Sequence, residues 1–121
     1  SLRRMLDPIK EHVDNNFNPL PEEYTKEFAP VRQKINDLMR MSCEQIETSR
    51  YENYREILAE ADACKDELSA LRKKHIDRIQ HLSDNSLMQI SLVYLNVLQE
   101  SQEFLSVMRH QLRAAKKFME K

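Results

Sequence analysis

Two aspartates, Asp62 and Asp66, stand four residues apart in the run EADACKDELSALRKKHIDRIQ. On a helix that spacing sets both carboxylates one turn apart on the same face. Oxygen ligands so placed suit a hard cation or iron if a second helix completes the shell. The alternative is a solvated acidic stripe paired with Lys65 and flanking bases, because both aspartates point away from the apolar seam of Ala61, Cys64 and Leu68. His75 falls on that seam. A histidine there is either a buried neutral imidazole bonded to a neighbour, or a ligand or switch. Its flanks, Arg72, Lys73, Lys74 and Arg78, make a basic helix end, which suits the negative pole of the helix dipole without any ligand.

Other chemistries find little to work with. None of His12, His75, His81 or His110 has a glutamate three residues before it, and no two histidines stand four apart, so neither a di-iron carboxylate bundle nor a simple helical zinc site is indicated. The chain contains no glycine. Phosphate-cradling loops, dinucleotide fingerprints and nucleophile elbows need that residue for close backbone approach or positive φ, so the sequence reads as non-enzymatic. Cys43 and Cys64 have no paired spacing and read as free thiols of a reducing compartment. The late run RHQLRAAKK carries Arg109, Arg113, Lys116 and Lys117 against the single late acid Glu120. It is either a surface for acidic lipid or an anion, or charge balance at a helix C-terminus.

The elements that must position these residues are helices. With 121 residues, 32% charged, no glycine and no tryptophan, the chain bounds one all-α domain. Leu2, Met5, Leu6, Ile9 and Val13 keep a helical period, interrupted at Asp7-Pro8, which reads as an N-cap followed by proline at the first helical position and so predicts a short leading helix. NNFNPLP, residues 15–21, reads as a loop. Tyr24, Phe28, Val31, Ile35, Leu38, Ser42 and Ile46 then form a seam that keeps phase through Pro30, which should kink rather than end the helix. A turn in TSRYEN leads to the helix whose seam is Ile57, Ala61, Cys64, Leu68, Leu71 and His75, drifting to Ile79 and Leu82. Ser86 and Gln89 read as a capping box opening the last helix, from about residue 86 to 118. Its seam is Leu87, Ser91, Tyr94, Leu98, Ser101, Leu105, Met108, Leu112, Ala115 and Met119, widened by Ile90, Val97, Phe104 and Phe118. Three long antiparallel helices with a short leading one make a bundle. A hairpin turning near Tyr51 sets Cys64 opposite residue 38 and away from Cys43, against a disulfide.

A net charge of −1, with 19 basic and 20 acidic residues interspersed, offers no field for a polyanion, so nucleic acid is not an expected partner. The longest uncharged run, residues 85–99, is too short and too polar to span a membrane. The chain therefore reads as soluble, and its start at Ser1 and end within a helical pattern read as an excised piece of a longer protein.

The order ETSRYENYREIL, EADACKDELSALRKKHIDRIQ, a polar break, then SLVYLNVLQESQEFLSVMRHQLRAAKKF resembles PhoU-like helical domains, most closely the cytoplasmic PhoU-like segment of some bacterial inorganic phosphate transporters. The resemblance covers residues 21–121 and makes residues 1–20 a connector from a membrane part. It implies paired three-helix bundles that restrain phosphate uptake, with acidic motifs that hold metal clusters at the surface. Asp62 and Asp66 match the first motif. In the second, around LQESQEF, Gln99 and Glu103 hold the spacing with one carboxylate lost, and Glu100 stands only three residues from Glu103.

The expectation is thus a non-catalytic regulatory or assembly domain on the cytoplasmic side of the inner membrane. Its partner is the membrane part of the same transporter, with a possible homodimer through the last helix. Asp62, Asp66 and Glu103 are the candidate ligands of a surface-bound divalent metal or iron. Arg109, Arg113, Lys116 and Lys117 are a candidate interaction surface. A helical adaptor unrelated to phosphate, or a metal-sensing bundle, fits the same periodicity.

Overall fold

The computed structural model describes residues 2–17 and 20–119, with the backbone alone at 16 and 17. Its elements are α1 (Leu2–Phe17), α2 (Glu22–Thr48), α3 (Tyr54–Gln80) and α4 (Asn85–Met119), and no strand occurs among the described residues. The chain is all-α.

Cross-helix pairs fix the direction of each helix. Tyr24 meets Ser91, so the starts of α2 and α4 lie together and these helices run parallel. Lys34–Glu67 and Arg78–Glu27 set α3 antiparallel to α2. Arg32–Asp14 and Arg3–Glu47 set α1 antiparallel to α2 as well. The result is an up-down-up-down bundle in which α2 and α4 touch across the diagonal, while α1 packs chiefly on α4 and makes no contact with α3 among the described residues.

The periodic seams form the core. Phe28, Val31, Ile35 and Leu38 of α2, Ile57, Ala61, Cys64 and Leu68 of α3, and Tyr94, Leu98, Leu105, Met108 and Leu112 of α4 are all buried. The α4 seam frays at its ends, where Leu87 is 47% and Met119 54% exposed. Its widening positions divide: Val97 and Phe104 are buried, whereas Ile90 and Phe118 are exposed.

The leading helix is not the short element expected. It runs 16 residues straight through Pro8 and continues over residues 15–17, part of the stretch whose composition predicts a loop. Proline inside a helix costs about 3 kcal/mol. Burying Leu2 and Leu6 returns about 1.5–3 kcal/mol each, enough to hold the turn that Pro8 disfavours. Asn18 and Pro19 of that loop lie outside the described residues. Pro30 likewise lies inside a continuous α2, as its seam required.

The turns manage without glycine. After α2, Ser49 takes the left-handed conformation at φ 55°, the one positive φ among the described residues. Its N–H reaches the Ile46 carbonyl and the Arg50 N–H reaches Gln45, a Schellman closure. At the start of α4 the cap is Asp84, not Ser86. Asp84 Oδ1 accepts the Ser86 N–H at 2.8 Å, and the cap falls two residues earlier than the capping box implied.

Candidate functional site

The densest polar cluster sits where α2 and α4 begin and α3 ends. Glu27 comes from the first turns of α2, His75 and Arg78 from the end of α3, and Ser91 and Tyr94 from the start of α4. Glu27 Oε1 accepts hydrogen bonds from Arg78 Nη2 at 2.7 Å and from the Tyr94 hydroxyl at 2.9 Å, and Oε2 accepts from Lys74 at 3.0 Å. Its side chain is only 14% exposed. Burial alone would raise its pKa, but the bonds from Lys74, Tyr94 and Arg78 outweigh it and leave the carboxyl below its ordinary value. The Tyr94 phenol is driven the other way, by burial and then by the carboxylate it donates to.

His75 is fully buried beside this clamp. Its Nε2 lies 2.7 Å from the Ser91 carbonyl, which can only accept, so Nε2 carries the proton. Nδ1 is buried without a hydrogen-bond partner. Desolvation lowers the imidazole pKa against the opposing Ser91 bond, and nearby Arg78 lowers it further. Tyr24 and Tyr94 stack at 4.6 Å, and the imidazole meets both rings edge-on at 4.9 and 4.7 Å. The Arg78 guanidinium covers the Tyr24 ring at 5.1 Å. His75 is therefore the bonded neutral imidazole that its seam position allowed.

This cluster joins α2, α3 and α4 through groups that each hold a neighbour. Glu27 had no signal in sequence: its partners lie 47, 51 and 67 residues away. Lys74 and Arg78 were legible only as cations near a helix end. The one usable hint was that Tyr24 and Tyr94 interrupt apolar seams with a hydroxyl, and a buried hydroxyl needs a partner.

The acidic candidates are placed otherwise. Asp62 and Asp66 are exposed on α3, and Glu103 is exposed on α4. Asp62 pairs with Arg109 of α4, Oδ1 to Nε at 3.2 Å. One position before Glu103, Gln102 crosses to α3 and donates to the Lys65 carbonyl at 3.1 Å and the Ser69 hydroxyl at 2.7 Å. Glu100 faces α1, 3.3 Å from His12. Asp62, Asp66 and Glu103 are not brought together: among the described residues no three His, Cys, Asp or Glu side chains form a group that could hold a metal ion.

The basic candidates gather at the opposite end of the bundle. Arg113, Lys116 and Lys117 line a shallow groove of about 590 Å³ with Tyr54, His110 and Ala114. Lys116 lies 5.0 Å over the Tyr54 ring, while Arg109 is turned to Asp62. Glu120, the late acid of this run, lies outside the described residues.

Both cysteines are free and buried. Cys64 lines a groove with Leu38, as a hairpin turning near residue 51 requires. Burial first, then Glu67, pushes its thiol up to about 11, and burial raises Cys43 too. No helix among the described residues is long and apolar enough to cross a membrane. No family model matches the chain, and neither the curated proteins nor the solved structures contain a significant match to it.

Proposed function

We propose that this chain is a non-catalytic helical domain that regulates or helps assemble an inorganic phosphate transporter, attached through its N-terminal segment. The observation that carries the reading is the run of three long helices, α2 and α3 of 27 residues and α4 of 35, folded back on one another in sequence order. That is the arrangement a PhoU-like three-helix unit calls for, with α1 as an added stave leading from the N-terminal side. The clamp on Glu27 supports a structural use of the buried polar groups, since Lys74, Arg78 and Tyr94 each donate to it from a neighbouring helix.

In this reading the bundle acts as a rigid body whose packing is felt by the membrane part. The test is to compare a full-length transporter with one lacking residues 21–121. Altered phosphate uptake or altered oligomeric state is expected. Unchanged values of both would leave a helical adaptor unrelated to phosphate as the better account.

A metal-sensing role is the weaker reading, because a cation at Asp62 would first have to displace Arg109 from the carboxylate. Elemental mass spectrometry after exposure to iron, manganese and zinc decides it. We expect no stoichiometric metal that is lost in the Asp62→Ala/Asp66→Ala variant.

A further inference from the structure

The two ends of the bundle carry similar numbers of cations but treat them differently. Where α3 ends, Lys74 and Arg78 are both held by Glu27, and Arg78 also by Glu23. Where α4 ends, Arg113 and Lys117 are exposed, and no acidic side chain pairs with either among the described residues. Lys116 stands between them over Tyr54. In the next turn Phe118 is 74% exposed, the most exposed large apolar side chain described, with Met119 beside it in sequence. On α1 at the same end, Met5 is 45% exposed. Cations interleaved with protruding apolar side chains are the composition of a membrane-surface contact.

We propose that this tip of the bundle docks on an anionic lipid surface, with Arg113, Lys116 and Lys117 over the headgroups and Phe118 entering the interface. The inference names a surface for the domain proposed above and rests on that reading only in requiring a membrane nearby. Position supports it: the Arg3–Glu47 pair places the N-terminal end of α1 beside the end of α2, the same end of the bundle as the α4 tip. A chain entering through α1 therefore enters at the end that carries the α4 cations.

The solvation of these cations decides between a surface and a discrete small anion. Arg113 and Lys117 are exposed in an open groove, so a single phosphate there would remain hydrated and be screened by salt. A charged leaflet engages the exposed Arg113 and Lys117 at once, each worth about a fivefold gain in partitioning, or roughly 25-fold together. Nucleic acid would present as many charges. The chain's net charge of −1 opposes wrapping by a polyanion but not an end-on approach to a plane.

The experiment is sedimentation of the chain with vesicles of phosphatidylcholine alone or mixed with phosphatidylserine, at low and high salt. Binding to the anionic vesicles only, weakened by salt, is expected. Arg113→Glu/Lys117→Glu should reduce it by about 30-fold or more, Phe118→Ser should reduce it less, and Lys73→Glu at the far end should leave it unchanged. Circular dichroism confirms that these exposed substitutions keep the fold. Equal binding to both vesicle types, no binding, or an equal loss in Lys73→Glu would overturn the proposal. So would displacement by millimolar inorganic phosphate at constant ionic strength, which would mark a site for a discrete anion. Failure here beside altered uptake in the truncated transporter would sink this inference alone; vesicle binding beside unaltered uptake would sink the transporter reading alone.

Discussion

Glu27 and His75 are the residues on which acid stability turns, and they act in different pH ranges. His75 is held neutral, with its folded pKa below the ordinary 6.5. The unfolded chain therefore takes up its proton first, and the stabilisation that is full above about pH 6.5 falls as pH drops towards the folded value. Denaturant midpoints measured from pH 8 to pH 5 should fall, and His75→Gln should flatten that slope. Glu27 is shifted down, so its contribution is present above the ordinary carboxylate pKa and is lost at lower pH, as the solution becomes acid enough to protonate it in the fold. At neutral pH, Glu27→Gln should cost about 1–3 kcal/mol in urea unfolding, because Lys74, Arg78 and Tyr94 lose a charged acceptor. Tyr94→Phe should cost about 1 kcal/mol. A double-mutant cycle should show the two effects to be coupled. His75 was legible as a seam residue from spacing alone. Glu27 was not, because a surface-type residue in a helix's first turns looks the same whether it meets water or an arginine 51 positions away. The acidic pair was legible as outward-facing, but the pairing of Asp62 with Arg109 depends on how two helices align.

Among the elements, α1 departs most from its sequence. Its Asp7-Pro8 step carries a strong local start signal, and the core overrides it through Leu2 and Leu6, which lie before the proline. Local pattern cannot weigh burial supplied by a helix 90 or more residues away. The same limit explains the cap of α4. Ser86 with Gln89 matches a capping box, yet Asp84 is an equally good cap and lies in the turn that actually reaches the helix start. Long seams fared better, because α2, α3 and α4 each repeat the same message over several turns; only their ends, at Leu87 and Met119, lack a facing helix. A substitution probes whether α1 belongs to the cooperative unit. Leu6 is fully buried, so Leu6→Ala should cost about 2–4 kcal/mol in a single urea transition. Amide exchange in α1 should slow to the rate of α4 in the parent chain. Fast exchange confined to α1 would make it a detachable arm.

At the scale of the whole molecule, one core runs through all four helices, with Leu6 and Val13 in the same cluster as Phe28, Cys64 and Leu105. Cooperative opening should therefore govern both thiols. Cys43 on α2 and Cys64 on α3 should react with a thiol reagent at the same slow rate in native buffer, and within the mixing time in denaturant. A much faster Cys43 would show that α1 opens separately, since Arg3 and Asp7 of α1 both act on that thiol. The packing of α1 on α4 also orders events during synthesis. Because α1 finds its main partner in α4, the stripe of Leu2, Leu6 and Val13 must wait for it while roughly a hundred residues are translated. At about 5–20 residues per second that is an interval of several seconds or more. Pro8 then gains a second significance: an internal proline disfavours the isolated helix, so before α4 exists the apolar stripe should be only loosely ordered, which helicity of a peptide of residues 1–20 beside its Pro8→Ala variant would show.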